Sequence, residues 1–288
     1  MTETRQLPMS ESPDAEIEIG ITGGYGISRS IDIEEQIVVE TPYGEPSHPV
    51  VVGELGSKNV AFISRHGEGR YIPAHSINYR ANLFAFHRLG VNRIISATAN
   101  GAINESLSFG DIAVPADYID DTTNRNDTFF DEAPSRHFSS HVPFCPDISN
   151  TLTERAEKNG FECHDDVVLV IVEGPRFATV AEAEMFAAHG GDIMGMSTYP
   201  EVTLARELEM CYANFALITD PREDQTKYDR PTTSVTAVDK TLDERARDCT
   251  QIIIDTIEAM STSRCSNCRG HAEIAKSDEH EEWEYRNL

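Results

Sequence analysis

The sequence predicts an α/β fold in which a mixed central β-sheet is flanked by helices. Short apolar runs alternate with amphipathic segments over most of the 288 residues, and this alternation is typical of a sheet covered by helices on both faces. Glycine follows two of the amphipathic segments, at Gly90 and Gly160, as it commonly does where helices end. The length suits one substantial domain.

Predicted strands and helices follow one another along the chain. Between residues 16 and 65, apolar runs separated by glycine, proline and asparagine predict several strands joined by turns. Further strands are predicted over Arg93–Ala97, Asp111–Pro115, Val167–Val172, Asp192–Met194 and Cys211–Thr219. Helices are predicted over Asn78–Leu89, Ile148–Asn159, Val180–His189, Glu201–Glu209 and Val235–Met260. The polar stretch Asp117–Asp147 is predicted to be an excursion without a strand.

The composition changes near both ends of the chain. Residues 1–15 are polar and include Pro8 and Pro13, which predicts a flexible N-terminal arm. Residues 16–260 carry the alternating pattern and form the predicted domain. Residues 261–288 have few apolar side chains and are predicted to be an acidic, disordered tail.

The chain is strongly acidic, because 49 Asp and Glu against 24 Lys and Arg give a formal net charge of −25. This charge argues against nucleic acid or a membrane as a partner. A surface rich in carboxylates suits a salt-adapted protein, in which salt screens the self-repulsion; an ordinary acidic cytosolic protein is the alternative. We expect a cytoplasmic protein, because we find neither a signal peptide nor a run of roughly 18 apolar residues.

The six cysteines are spread too thinly for a disulfide framework, so reduced thiols are the simplest interpretation. Cys265, Cys268 and His271 lie close together near the C-terminus, and with His280 they could ligate zinc. A single Cys-x-x-Cys motif does not by itself specify a zinc site. We therefore predict no metal site from the sequence.

Five groups of residues directly follow predicted strands, where ligands bind in sheets of this class. They are the glycine turn 23–26, the segment 64–67, the small-residue run 97–102, and the segments 172–177 and 195–201. Arg65 beside His66 suits an anion in a chain with few cations, although a surface ion pair is the alternative. The glycine turn can bring backbone N–H groups to an anion, or can be a plain tight turn.

Together these groups resemble the methylthioadenosine phosphorylase and purine nucleoside phosphorylase family, in its trimeric branch. The similarity runs in the same order from about Ile19 to Ile257, and it includes the runs 41–44, 78–82, 109–111 and 143–146. The resemblance implies a nucleoside phosphorylase-like fold, with a purine nucleoside as substrate and inorganic phosphate as co-substrate. It implies no cofactor, and a homo-oligomer that is a trimer or a dimer of trimers.

The resemblance also implies a role for each matching residue. The implied phosphate-binding residues are Gly24, Tyr25, Arg65, His66, Thr98, Ala99 and Ser197. The implied substrate-binding residues are Phe177, Met196, Asp220, Arg222, Val235, Val238 and, from a neighbouring subunit, His137. The resemblance implies that Phe177 packs against the purine, that Met196 contacts the ribose and that Asp220 contacts the base.

Asp220 is the candidate catalytic residue. Cleavage of a glycosidic C–N bond builds positive charge on the sugar and negative charge on the departing purine, so an anionic nucleophile and a proton donor near N7 both help. Phosphate supplies the nucleophile, and Asp220 can supply the proton if burial raises the pKa of its carboxyl. A cap of the turn before Pro221 is the alternative role for Asp220.

Two positions depart from the family pattern. Tyr25 stands where the family usually has Thr or Ser as a phosphate ligand, and its larger phenol either reaches phosphate from another angle or occupies its place. Arg222 stands where the adenine-specific members carry a second Asp. Arg222 has only donors and suits a 6-oxopurine if it points inward, whereas an outward Arg222 leaves adenine as the base.

The predicted pocket for the 5' substituent favours a methylthio group. Val235 matches a position that is apolar in the methylthioadenosine members, whereas ordinary nucleoside phosphorylases use His for the 5'-hydroxyl. Val238 lies one helical turn further on; the core face of an amphipathic helix is the alternative for both valines.

We therefore predict phosphorolysis of 5'-methylthioadenosine, with a 6-oxopurine nucleoside as the alternative substrate. A nucleosidase uses water in place of phosphate and needs a carboxylate close to the glycine turn to activate it. The first acidic residue after Gly26 is Asp32, so a nucleosidase is disfavoured. A non-catalytic nucleoside-binding relative is the remaining alternative, if Tyr25 has abolished phosphate binding.

Overall fold

The structure is a computed structural model that describes residues 3–13, 17–23, 27–131, 137–220, 235–261 and 265–268. Twelve strands lie in these ranges: β1 (Glu3–Leu7), β2 (Ile19–Gly23), β3 (Asp32–Val39), β4 (Val50–Leu55), β5 (Lys58–Ser64), β6 (Arg93–Ala102), β7 (Ile112–Ala113), β8 (Asp117–Asp121), β9 (Cys163–His164), β10 (Val168–Val172), β11 (Ile193–Gly195) and β12 (Cys211–Asp220). The five α-helices of the same ranges are α1 (Tyr79–Arg88), α2 (Pro146–Lys158), α3 (Val180–Ala188), α4 (Thr198–Glu207) and α5 (Val235–Ala259).

The strands form one mixed sheet in the order β1-β3-β4-β5-β2-β6-β11-β10-β8, with β12 paired to β6 and β7, and β7 paired to β9. At its centre β5, β2, β6 and β12 run parallel, whereas β3, β4 and β5 are joined as antiparallel neighbours. This arrangement confirms the predicted α/β fold with a mixed sheet.

Helices cover the two faces of the sheet because its central strands are apolar on both sides. Ile94 belongs to a core cluster with residues of α1 and α4, whereas the adjacent Ile95 belongs to a second cluster with α2 and α5. Successive side chains of a strand point to opposite faces. The pairs α1 with α4 and α2 with α5 therefore pack on opposite faces.

Local signals explain where the helices begin. The Asn78 side chain accepts a hydrogen bond from the Ala81 backbone at the start of α1, and Thr179 with Glu182 forms a reciprocal capping box at the start of α3. None of the helices in the described ranges has the length and apolar character that a membrane crossing requires.

The structure differs from the sequence predictions in three segments. Residues 3–7, within the predicted flexible arm 1–15, form β1 and pair with β3. Asp117–Asp121, within the predicted strand-free excursion, forms β8 and pairs with β10. In the predicted disordered tail 261–288, the turn Ser266–Cys268 is ordered and ends in a buried cysteine; residues 269–288 lie outside the described part of the chain.

Candidate active site

The predicted phosphate and base residues lie in or directly after strands that are neighbours in the sheet. Arg65 and His66 follow β5, Thr98 and Ala99 lie in β6, and Asp220 ends β12. Because β2 joins β5 to β6 and β12 pairs with β6, all in parallel, these positions share one edge of the sheet. The fold therefore places the residues that carry the predicted cationic, hydroxyl and carboxyl groups at the same end of neighbouring strands.

Arg65 is a buried ion-pair partner, with only 2% of its surface exposed. Its Nε donates to Glu201 Oε1 at 2.9 Å and its Nη2 donates to Oε2 at 3.1 Å. Nη2 also donates to Ser96 Oγ at 2.6 Å, and Nη1 donates to the Ala97 carbonyl at 2.9 Å. Among the described residues, these bonds engage four of the five guanidinium N–H groups, so one N–H on Nη1 has no acceptor there and can bind a ligand.

Glu201 is the centre of this buried network, since none of its surface is exposed. Besides Arg65, it accepts hydrogen bonds from Tyr212 Oη at 2.9 Å, Ser96 Oγ at 3.1 Å and Thr22 Oγ1 at 3.3 Å. These partners lie on β2, β6, β12 and the segment after β5. The carboxylate thus links three strands of the sheet to the segment after β5.

The protonation states of this network follow from burial and charge. Burial alone would lower the pKa of Arg65, but the charge of Glu201 and the hydrogen bonds to it raise the pKa above its ordinary value. Burial, together with the nearby Glu201 charge, raises the pKa of Tyr212 well above its ordinary value. At neutral pH Arg65 is therefore a cation and Tyr212 a protonated donor.

His66 and Thr98 are each oriented by a neighbour. The Nδ1 atom of His66 lies 2.9 Å from the Ile72 carbonyl, and since a carbonyl only accepts, Nδ1 carries a proton. This leaves Nε2 as the nitrogen that gains the second proton when the ring becomes cationic. Thr98 Oγ1 donates to Asn100 Oδ1 at 2.6 Å and accepts from Asn214 Nδ2 at 3.1 Å, so donation to phosphate requires Thr98 to release Asn100.

Asp220 is half-buried at the end of β12 and pairs with Gly101 of β6. A Cβ atom added to Gly101 would lie 3.9 Å from Asp220 Oδ2, so the glycine leaves room beside the carboxyl. The preceding Thr219 is buried, and its hydroxyl donates to the Asn100 carbonyl at 3.4 Å. The backbone next to Asp220 is thus held against β6.

The predicted ribose segment lies beside the same strand. β11 runs antiparallel to the end of β6, with Met194 opposite Gly101, and Asn100 Nδ2 donates to the Met194 carbonyl at 3.2 Å. Met196 and Ser197 come directly after β11, with Met196 half-buried and Ser197 buried at the start of α4. The chain therefore places both residues near the Thr98–Asn100 part of β6.

Arg125 connects the predicted base and ribose segments, a role that the sequence did not indicate. Its side chain is 2% exposed and forms an ion pair with Glu173 at 3.2 Å. Its Nη1 donates to the Met196 carbonyl at 2.8 Å, and its Nη2 donates to the Glu173 carbonyl at 3.0 Å. The guanidinium also lies over the ring of Tyr79, 5.5 Å from its centroid. Arg125 thus holds its part of the stretch Asp117–Asp147 against the segments that contain Glu173 and Met196.

The other predicted site residues are exposed, half-buried or outside the described ranges. Phe177 is 43% exposed, His137 is exposed, and Val238 is half-buried on α5. Ala99 is also half-buried. Outside the described residues or side chains lie Gly24, Tyr25, Arg222 and the side chain of Val235. The assignments of phosphate and nucleoside contacts to individual residues stay predictions.

The fold and this arrangement at its strand ends define a class of protein. Residues 18–258 match the phosphorylase superfamily, and the chain belongs to that superfamily.

Relatives within the superfamily share most of the chain. It is 36% identical to the S-methyl-5'-thioadenosine phosphorylase of Nitrosopumilus maritimus over 269 residues, which are 91% of this chain and 99% of the relative. It is 45% identical to the enzyme of the same name from Thermococcus kodakarensis over 204 residues, which are 70% of this chain and 78% of the relative.

Solved structures show the same fold. A methylthioadenosine phosphorylase from an antarctic soil metagenomic library is 33% identical with a TM-score of 0.79, covering 85% of this chain and 86% of its own. A methylthioadenosine phosphorylase from Schistosoma mansoni in complex with adenine is 28% identical with a TM-score of 0.82, covering 91% of this chain and 100% of its own. These likenesses confirm the family predicted from the sequence.

Proposed function

We propose that this chain is a pentosyltransferase that cleaves 5'-methylthioadenosine with inorganic phosphate, giving adenine and 5-methylthioribose 1-phosphate. The observation that carries the proposal is the placement of Arg65, His66, Thr98 and Asp220 toward the carboxyl ends of neighbouring parallel strands. The names of the relatives support the choice of nucleoside. The half-buried apolar side chain of Val238 supports a methylthio rather than a hydroxyl group at the 5' position.

In the proposed reaction a phosphate oxygen forms a bond to C1' of the ribose as the C1'–N9 bond breaks. The electron pair of the broken bond moves to the purine, and a proton at N7 neutralises the leaving base. Arg65 binds phosphate through its remaining Nη1 N–H, because Glu201, Ser96 and the Ala97 carbonyl accept hydrogen bonds from the other four N–H groups. His66 in its cationic form adds a second charged donor, and Asp220 delivers the proton to N7.

We also propose that the complete site forms in a homo-oligomer, a trimer or a dimer of trimers. His137 and Phe177 are exposed in the isolated chain, and the resemblance places a residue like His137 in the site of a neighbouring subunit. The net charge of −25 supports a cytoplasmic, salt-adapted protein.

Release of adenine from 5'-methylthioadenosine should require phosphate. In phosphate-free buffer with sulfate as the matched anion, we expect no adenine, and addition of phosphate should give adenine and a sugar phosphate in equal amounts. Chromatography of base and sugar products measures both. Equal release of adenine with and without phosphate would show a nucleosidase, and binding without any release would show a non-catalytic nucleoside-binding protein.

Methylthioadenosine should be the preferred substrate over methylthioinosine, inosine and guanosine. The comparison is kcat/KM for the four nucleosides with the parent protein and with Arg222→Asp. If Arg222 faces outward, Arg222→Asp leaves the order of the four values unchanged, as does the control Arg230→Asp in the same segment. A parent that prefers a 6-oxopurine, with a shift toward adenine in Arg222→Asp alone, would show instead that Arg222 reads the base.

A further inference from the structure

Four cysteines from three separate parts of the chain meet in the core. The Sγ atoms of Cys145, Cys211, Cys265 and Cys268 all lie within 4.8 Å of one another, and all four residues are buried. The sulfurs of Cys265 and Cys268 are 3.2 Å apart, and those of Cys145 and Cys265 are 3.5 Å apart. At a zinc–sulfur distance of about 2.3 Å, a tetrahedral site separates its sulfurs by about 3.8 Å. The cluster thus has the ligand number and size of a zinc site.

Backbone hydrogen bonds hold the cysteines at the start of a helix, at the start of a strand and in a tight turn. Cys145 precedes the first turn of α2, and its N–H donates to the Tyr212 carbonyl at 2.7 Å. Cys211 is the first residue of β12 and donates to the Asn92 carbonyl at 2.9 Å. Cys265 and Cys268 flank a tight turn in which the Cys268 N–H donates to the Cys265 carbonyl at 3.2 Å. A Cys-x-x-Cys turn supplying two ligands to one ion is common in structural zinc sites.

A buried cation faces the cluster. Arg206 of α4 is 3% exposed, and its Nη1 lies 3.5 Å from Cys268 Sγ and 3.3 Å from the Asn267 carbonyl. Zinc with four thiolates carries a net charge of −2, so a guanidinium that donates to one sulfur offsets part of that charge in an apolar core. Two further cysteines, Cys163 and Cys249, lie outside the cluster.

We propose that Cys145, Cys211, Cys265 and Cys268 bind one Zn²⁺ ion in a closed, structural site. Each thiol gives up its proton to solvent as its sulfur coordinates the metal. The site lies at the start of β12, whereas Asp220 lies at its end, roughly 30 Å away along nine residues of strand. The ion therefore attaches the segment after α5 to the core and takes no part in the reaction. This assignment replaces the sequence-based expectation of no metal, which considered Cys265 and Cys268 without their partners.

Metal analysis of the full-length protein tests this directly. After purification without chelator under reducing conditions, elemental mass spectrometry should find about one zinc ion per chain. Replacement by Co²⁺ should give the intense visible absorption of a tetrahedral cobalt–thiolate centre. Chelation should lower the midpoint of thermal unfolding, and added zinc should restore it. Protein that contains no zinc and takes up none from solution, or that contains iron instead, would overturn the proposal.

Variants locate the site and separate it from disulfides. Cys268→Ser should lose most of the bound zinc, whereas the matched control Cys163→Ser should retain it. The intact mass of the wild-type chain, denatured without reductant, should correspond to six free thiols. A mass lower by two or four hydrogens, from disulfides among these cysteines, would overturn the proposal even if Cys268→Ser fails to fold. Equal zinc content in the two variants would also overturn it.

Discussion

Replacement of Asp220 by asparagine should lower kcat for phosphorolysis by about 100-fold or more, which is the usual contribution of a general acid. Asparagine keeps the size of the side chain and can still hydrogen-bond to the base, but it cannot deliver a proton to N7. KM should change much less than kcat, because the interaction that is lost belongs to the transition state. Steady-state kinetics with saturating phosphate measures both constants.

Asp243→Asn is a suitable control for Asp220→Asn, since Asp243 is an exposed residue of α5 and its loss should leave kcat unchanged. Thermal unfolding of both variants separates chemistry from folding, because β12 is a central strand and a distorted strand end would lower stability. Near-normal kcat in Asp220→Asn would contradict the catalytic role. A fall in kcat that matches a fall in stability would indicate that Asp220 is only a structural cap.

Replacement of Arg65 by alanine should lower the free energy of unfolding by about 3–5 kcal/mol, because it leaves the Glu201 carboxylate buried without its ion-pair partner. Arg5→Ala is the matched control, since Arg5 pairs with Glu35 at 3.2 Å in a partly exposed position. That pair should contribute about 1 kcal/mol or less. Urea denaturation of the two variants and the parent measures the difference.

The double variant Arg65→Met with Glu201→Leu separates stability from phosphate binding. Replacing both charges by apolar side chains removes the uncompensated carboxylate, so part of the lost stability should return. The rest stays lost, because the buried hydroxyls of Tyr212 and Thr22 no longer have Glu201 as acceptor. The charged hydrogen bond to phosphate is still missing, which at about 1.5–3 kcal/mol corresponds to a rise of about 10- to 100-fold in KM for phosphate. A double variant with the parent KM would contradict the role of Arg65. An Arg65→Ala variant as stable as the parent would contradict the buried ion pair.

The sequence predicted the central strands and the helices, and it missed the two strands at the ends of the main sheet path. β1 and β8 are the first and last members of that order. A strand paired on one side only can keep polar side chains in solvent, and Asp117–Asp121 is largely exposed or half-buried. Central strands are apolar on both faces, so each appears in the sequence as a stretch of consecutive apolar residues. An edge strand has polar side chains on its solvent side and gives no such stretch.

The candidate site was predictable where its residues directly follow strands, and unpredictable where partners come from distant parts of the chain. Arg65 and Glu201 are 136 residues apart, and in a chain with 49 acidic residues nothing in the sequence distinguishes Glu201 from an exposed glutamate. Arg125 lies in an excursion that carries no strand or helix signal around it. Cys265 and Cys268 formed a visible motif, but Cys145 is 120 residues from Cys265.

The burial of the Arg65–Glu201 pair determines how the anion site responds to electrolyte. At molar salt the Debye length is about 3 Å, so ion pairs in contact with solvent lose most of their attraction. Neither Arg65 nor Glu201 is more than 2% exposed, so dissolved ions do not enter the space between them. We therefore expect added salt to leave the Arg65–Glu201 ion pair, and with it the orientation of the remaining Nη1 N–H, unchanged. Ionic strength should act instead on the attraction between the site and the incoming phosphate.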